Sequence, residues 1–320
     1  LSFNAGPDTF ITTDTSPIDV VIDDFNADGR ADILSNDGQV SYALDTGFSQ
    51  QYQQGDYVGS LAGDYSVTPS GEFTYSMPIT TAPATGNFAP GVALSYSSGG
   101  PNGHLGKGWA ISGLRTISRC EQNLEINGHI SKVDFSSTDR FCLDGQQLIV
   151  KNGQTYGANG AEYRTVQDNF EKVISKTASG IVGPVSFEVT DTSGNTFYFG
   201  RVGSANDGLI LTSNNQAYVW ALKKVQDASG NYYFYNYGKV HSSLNSMEFY
   251  LMSIWYTGNG SVAPTNEIAF SYDDSRPDKE TTYLAGQRIT LTKRLASITS
   301  KVDGRTIRIY MLGYGTFFTG

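Results

Sequence analysis

Along most of this chain apolar and polar residues alternate over short runs, and clusters of Gly, Asn, Asp and Ser separate the runs. Strands with one buried face, joined by tight turns, produce that pattern. Phe73-Thr74-Tyr75-Ser76-Met77-Pro78-Ile79 reads as the first strand of a large domain, and Pro78, which has no N–H, places its end at an edge or a bulge. Val92 to Ser97 is a second strand, stopped by the cluster Gly99-Gly100-Pro101-Asn102-Gly103. The Asn127-Gly128 pair between Leu124 and Ile130 predicts a tight hairpin, and Leu148-Ile149-Val150 ahead of Asn152-Gly153 predicts another. Phe187 to Thr190 then turns through Asp191-Thr192-Ser193-Gly194-Asn195 into Thr196 to Phe199. Trp220 to Val225 turns in the same way through Asp227-Ala228-Ser229-Gly230-Asn231 into Tyr232 to Tyr235. The final strands expected are Glu267 to Tyr272, Arg288 to Ile298 and Thr306 to Tyr314.

Composition sharpens this into a fold class. With 20 Tyr, 17 Phe, 36 Gly and only 4 Met, and no Ala/Leu/Glu-rich stretch at helical spacing, the chain is expected to be all-β. The expected architecture is a large antiparallel, curved sheet built of hairpins, with very little helix. A net charge of -9 and scattered basic residues exclude a general nucleic-acid or anionic-membrane surface. No apolar run approaches the roughly 18–20 residues that a transmembrane helix needs. The acidity suits a secreted or cell-surface protein. The chain begins at Leu1 and stops in mid-strand at Phe318-Thr319-Gly320, so it is expected to be a piece of a longer protein.

Residues 1–62 read as a separate unit. Ile18 to Asp23 is a strand, an acidic loop follows, and Ile33-Leu34 resumes apolar character. Within the loop Asp24, Asn26 and Asp28 bring side-chain oxygens to alternate positions, Gly29 permits a sharp turn, and the Arg30 carbonyl and Asp32 complete a shell suited to structural Ca2+. An EF-hand would require Glu where this chain has Ser35, and the strand-loop-strand setting resembles an FG-GAP or VCBS repeat. A solvated turn without an ion is the alternative. Gln50 to Ser70 reads as a linker, leaving 63–320 as a β-rich domain.

Asn87 to Cys120 is the most distinctive stretch, with seven glycines, two prolines and one tryptophan. Gly106 and Gly108 flank Lys107 in a pattern suited to close backbone approach and positive φ, and Trp109 is expected to anchor the fold. The run Leu94 to Ser97, Gly103, Leu105-Gly106, Gly108-Trp109, Ile111 to Leu114 and Ile117 to Cys120 resembles the N-terminal domain of the SpvB virulence protein family. The same domain opens the B component of insecticidal toxin complexes and many Rhs or YD-repeat proteins. The resemblance continues through Val133 to Ser137, Asp139 to Gly145, Glu162 to Thr165, Arg276-Pro277-Asp278, Tyr283, Gly286 and Lys293-Arg294-Leu295. It implies a β-rich scaffold, part of an Rhs-like shell around a toxic C-terminal polypeptide, whose partners are other segments or subunits of a toxin complex. The two Asp-x-Ser-Gly-Asn turns resemble YD-repeat hairpins.

Candidate chemistry is sparse. Cys120 and Cys142 either pair, as expected outside the cytosol, or stay as two buried thiols. His104, His129 and His241 are too widely spaced for a zinc site and read as polar turn or linker residues. The cluster Asp273 to Glu280 contains Arg276 and Lys279, which suggests a salt-bridged loop at a strand end rather than catalytic acids. The ADP-ribosyltransferase domain of SpvB would show a Glu-x-Glu pair, which this chain lacks, and it contains no nucleophile elbow, Walker loop or H-E-x-x-H motif. A non-catalytic scaffold is therefore the expectation. A calcium-dependent carbohydrate-binding module is the alternative, since Tyr and Trp faces stack on sugars of surface glycans, and an enzyme acting on polysaccharide is a third possibility.

Overall fold

A computed structural model describes residues 63–240 and 247–315, together with the backbone of four short strands nearer the N-terminus. Two of these, Val20–Asp23 and Asp32–Ser35, form an antiparallel pair in which Asp23 faces Asp32. The strand-loop-strand expectation is met to that extent. The loop with Asp24, Asn26, Asp28 and Arg30 lies outside the described residues, as does the side chain of Asp32.

The β-rich part opens with a four-stranded meander of Asp64–Val67, Phe73–Pro78, Ala93–Ser97 and Trp109–Ser112. Asp64–Val67 falls inside the segment expected to be a linker; its Ser, Asp and Gly neighbours mask a Tyr/Val pair that suffices for an exposed edge strand. Pairing with that edge ends at Ser76 opposite Asp64, so Pro78 lies where no partner strand needs its missing N–H.

Next come Thr116–Cys120, Arg140–Leu143, Gln146–Val150, Glu162–Thr165, Lys172–Lys176, Ser186–Thr190 and Thr196–Gly200, each paired with the one before. The long strand Ala217–Gln226 closes them into a barrel. Its first half pairs with Thr116–Cys120, setting Ile117 opposite Trp220, and its second half pairs with Thr196–Gly200, setting Phe197 opposite Val225. Eight strands make a ring whose interior side chains can just fill. Rings fill it here: Trp220 meets Phe187 at 5.0 Å and Phe141 at 5.3 Å, both edge to face, and Tyr163 packs against Phe141 and Phe187. The indole N–H of Trp220 donates to Pro184 O at 2.8 Å, which satisfies its polar edge inside the core.

The same sheet continues past Ala217–Gln226 as an extension. Asn231–Lys239 pairs with that strand, and Phe249–Asn259, Asn266–Asp273, Arg294–Val302 and Arg305–Met311 follow in order. The connection from Ile79 to Val92 crosses this extension, where Thr80 N–H donates to Tyr310 Oη at 2.9 Å and Ala82 N–H to Tyr256 Oη at 3.0 Å. Meander, barrel and extension share one apolar core.

The all-β expectation is met, and besides the linker three further local expectations are corrected. Leu124–Asn127 is one helical turn rather than a hairpin strand: Asn123 Oδ1 accepts from Ile126 N–H, and Gly128 sits at φ 74° with its N–H on Leu124 O. The Asn-Gly pair serves there as a helix C-cap, the other conformation in which a left-handed Gly is used. Asn152-Gly153 opens a loop running to Ala161, not a two-residue turn. That loop carries Tyr156 back onto the barrel, where it stacks on Phe141 at 5.1 Å. Arg288 to Ile298 divides into Gln287–Leu291, paired in a small hairpin with Glu280–Leu284, and Arg294–Val302 in the extension.

Candidate functional site

The glycine-rich turn is where the family-like residues converge. Asn102–Gly103 pairs with Gly106–Lys107, and Gly106 and Gly108 adopt φ of 90° and 81°. A Cβ at Gly108 would lie 2.6 Å from both Ser97 O and the Tyr96 ring, so the position excludes every other residue. This close approach seats Trp109, which is 3% exposed, between Tyr75 and Tyr96 at ring distances of 6.2 and 5.3 Å.

The tip of the turn is held by the far end of the chain. The fully buried Arg276 guanidinium donates to Gly103 O at 2.6 Å, to Asn102 Oδ1 at 2.6 Å and to Asp278 Oδ2 at 2.8 Å. Leu295 N–H donates to His104 O at 2.8 Å. His104 Nε2 lies 3.3 Å from Glu248 Oε1, and that carboxylate accepts from Thr292 N–H at 2.8 Å and Lys293 N–H at 2.9 Å. These last two bonds are why the strand expected over 288–298 breaks at Thr292-Lys293, since both amides face a carboxylate rather than a neighbouring strand. Burial alone raises the Glu248 carboxyl, but the hydrogen bonds from His104, Thr292 and Lys293 outweigh it and bring it down to about 2.

The acidic cluster is absorbed into the same joint. Asp273 pairs with Arg294 at 3.2 Å, Asp274 with Lys293, and Asp278 with Arg276. Burial raises the Asp278 carboxyl, and Arg276 and Asn102 more than reverse that shift, leaving it below the usual range. A carboxylate held in this way is a poor proton donor at neutral pH. The cluster is a salt-bridged loop, with Arg276 supplying one partner from within it and Lys293 and Arg294 supplying the others from outside.

A second joint lies at the barrel wall. Arg119 is buried with Asp139, its Nη1 donating to Asp139 Oδ2 at 3.0 Å and its Nε to Ala217 O at 2.6 Å, while Phe135 and Phe141 cover the guanidinium. Beside it Cys120 and Cys142 form a disulfide across neighbouring strands, with Cα atoms 5.8 Å apart. The expected pairing is present. Arg119 was not singled out from sequence, although alternation from Ile117 puts it on the inward face, and an inward Arg needs a partner.

His129 Nδ1 lies 3.0 Å from Asn127 O in the helix cap, and His241 is outside the described residues. Among the described residues there is no group of three or more His, Cys, Asp or Glu arranged to hold a metal, and no helix is long and apolar enough to cross a membrane. Tyr163, Tyr235, Tyr256, Phe187, Phe199 and Trp220 are fully buried, which removes them from contact with any sugar ring. A polar cleft of about 460 Å³ opens at one barrel end beside Arg115, Asp144, Gln146 and Asp168. Its Arg115 is already spent on Glu171, at 2.7 and 2.9 Å, and on Asp144 at 2.7 Å.

Comparison with known proteins places this architecture. Residues 67–250 match the family described as SpvB, Salmonella virulence plasmid 65kDa B protein. Among solved structures, the TcdB2-TccC3 crystal structure superposes on 76% of this chain with a TM-score of 0.60 at 17% identity. The Photorhabdus luminescens Tc holotoxin pore covers 79% with a TM-score of 0.58 at 17% identity. The chain spans only 14% of the length of each of these two. The N-terminal domain of the effector protein SpvB from Salmonella typhimurium strain LT2 aligns over 70% of this chain and 87% of its own length, with a TM-score of 0.54 at 16% identity. No curated protein matches the chain. The SpvB match runs through the meander, the glycine-rich turn, the whole barrel and the start of the extension, more than half of the sequence, and the chain belongs to the SpvB family.

Proposed function

We propose that this chain is a non-catalytic wall segment of a secreted toxin complex, enclosing or presenting a C-terminal effector carried by the longer protein or by a second subunit. The packing of the closed barrel carries the proposal. Its interior is taken up by interlocking rings, and outside the barrel Asp273, Asp274 and Asp278 are paired with basic side chains in the joint between the glycine-rich turn and the extension. Such construction resists deformation and suits the wall of a shell. The solved structures that share the fold include a toxin assembly whose components are named together, TcdB2-TccC3, which supports a docking role toward other toxin-complex subunits.

Limited proteolysis of the longer gene product, alone and with residues 63–315 deleted, tests this proposal. The expected outcome is that polypeptide downstream resists protease in the intact protein and becomes cleavable in the deletion. Equal cleavage in both would overturn the wall assignment. Saturable binding on a glycan array would favour the carbohydrate-binding alternative.

A further inference from the structure

We propose that Lys223 and Asn236 become joined by an isopeptide bond that the protein forms on itself, with Asp207 moving the proton. Lys223 is the extra residue at the bulge where the barrel strand Ala217–Gln226 slips past Tyr198 and Phe199. Its side chain is 6% exposed, and its Nζ lies 2.8 Å from Asp207 Oδ2 and 2.9 Å from Asn236 Oδ1, also donating to Tyr235 O. The Phe234 ring lies 5.8 Å from Nζ, and Tyr235 and Tyr237 border the site through their backbone carbonyl and N–H. An amine, a carboxamide and a carboxylate thus share one hydrogen-bonding shell, in which the lysine is buried and the Asp207 side chain is 27% exposed, the complete set of groups for aminolysis of an amide.

The surrounding bonds fix the roles. Tyr237 N–H donates to Asp207 Oδ2 at 2.9 Å, which holds the carboxylate, and Asn236 Nδ2 donates to Ser253 Oγ at 3.1 Å, which orients the nitrogen that must leave. A hydrogen bond from Nζ to Oδ1 leaves the amide carbon roughly 3.2–3.8 Å from the amine, so the amine has only to swing from the carbonyl oxygen to the face of the carboxamide to attack. Asp207 takes one proton from the Lys223 ammonium, and the free amine adds to Asn236 Cγ. Asp207 passes that proton to Nδ2, the Cγ–Nδ2 bond breaks, and the leaving ammonia takes the second proton, which the added nitrogen releases, and departs as ammonium. Amine and carboxamide become a secondary amide and ammonia; no oxidant, reductant or further reactant takes part. The product would staple the barrel to the first strand of the extension.

Intact-mass measurement of the native protein after denaturation and reduction reads the bond directly. The expected mass is one ammonia below that of the sequence, with tryptic fragmentation yielding a branched peptide linking Lys223 to Asn236, and Asp207→Ala and Asn236→Ala restoring the full mass. A wild-type mass equal to the sequence, or ammonia loss that maps to any other residue, would overturn the proposal even where a variant fails to fold.

Discussion

Arg119 and Asp139 face each other where solvent does not reach, with side-chain exposures of 3% and 2%. Removing one member leaves an uncompensated buried charge, so Arg119→Met is expected to cost about 3–5 kcal/mol in urea unfolding, whereas Arg119→Met with Asp139→Asn, which removes the charge and keeps an acceptor for the Asp134 and Phe135 N–H groups, recovers part of the loss. A double variant no more stable than the single one would show that the pair itself is not the source. Glu248 makes a pH-dependent contribution. Its carboxyl sits at about 2 in the fold, below its ordinary value of 4.5. Folded protein therefore binds fewer protons there than unfolded protein, and the stabilisation is complete above about pH 4.5 and lost as pH falls toward 2. Glu248→Gln is expected to flatten that limb of a stability-against-pH curve, and an unchanged slope would contradict the assignment. Legibility at this scale was uneven. The need for glycine at 106 and 108 could be read from the chain, because an unusual backbone requires an unusual residue. The partner of Arg276 at Gly103 could not, because 173 positions separate them.

The two Asp-x-Ser-Gly-Asn turns show how far a short element is set by its own residues. In one, Asp191 Oδ1 accepts from Ser193 N–H at 2.9 Å and Asn195 N–H at 2.8 Å; in the other, Asp227 Oδ1 accepts from Ser229 N–H at 2.9 Å and Asn231 N–H at 2.8 Å. Both were legible because every bond is local. Asn127-Gly128 was misread because the same pair serves a hairpin and a helix end, and the Asn123 cap tips it toward helix. The disulfide joins strands already paired, and reduction is expected to lower stability by about 3 kcal/mol, a drop measurable by calorimetry with and without reductant. Retained stability would indicate that the strand pairing alone carries this corner. For the acidic loop from Asp24 to Asp32 we propose structural Ca2+, with the melting temperature expected to rise in millimolar calcium and fall with chelator. No movement in either direction would count against it.

Closure is the property of the molecule as a whole. Barrel and extension share Ala217–Gln226 and one core, so the described region is expected to unfold in a single calorimetric transition. Two separable transitions would mean that the shared strand does not couple them. Trp220 is fully buried at the crossing of barrel strands, and Trp220→Ala is expected to cost about 3–5 kcal/mol through the cavity it leaves. Alternation and aromatic content announced strands and hairpins, because side-chain period and turn chemistry act between near neighbours. They did not announce that the sheet would close at Ile117 and Trp220, since that depends on accumulated twist and bulges across many strands. The chain by itself therefore determined the all-β character, the turns and the glycine-rich segment, while three-dimensional packing decided which strand ends met and where Arg119, Lys223 and Arg276 found their partners. Local bonds are written in adjacent residues; contacts between distant strands exist only once the sheet has curved back on itself.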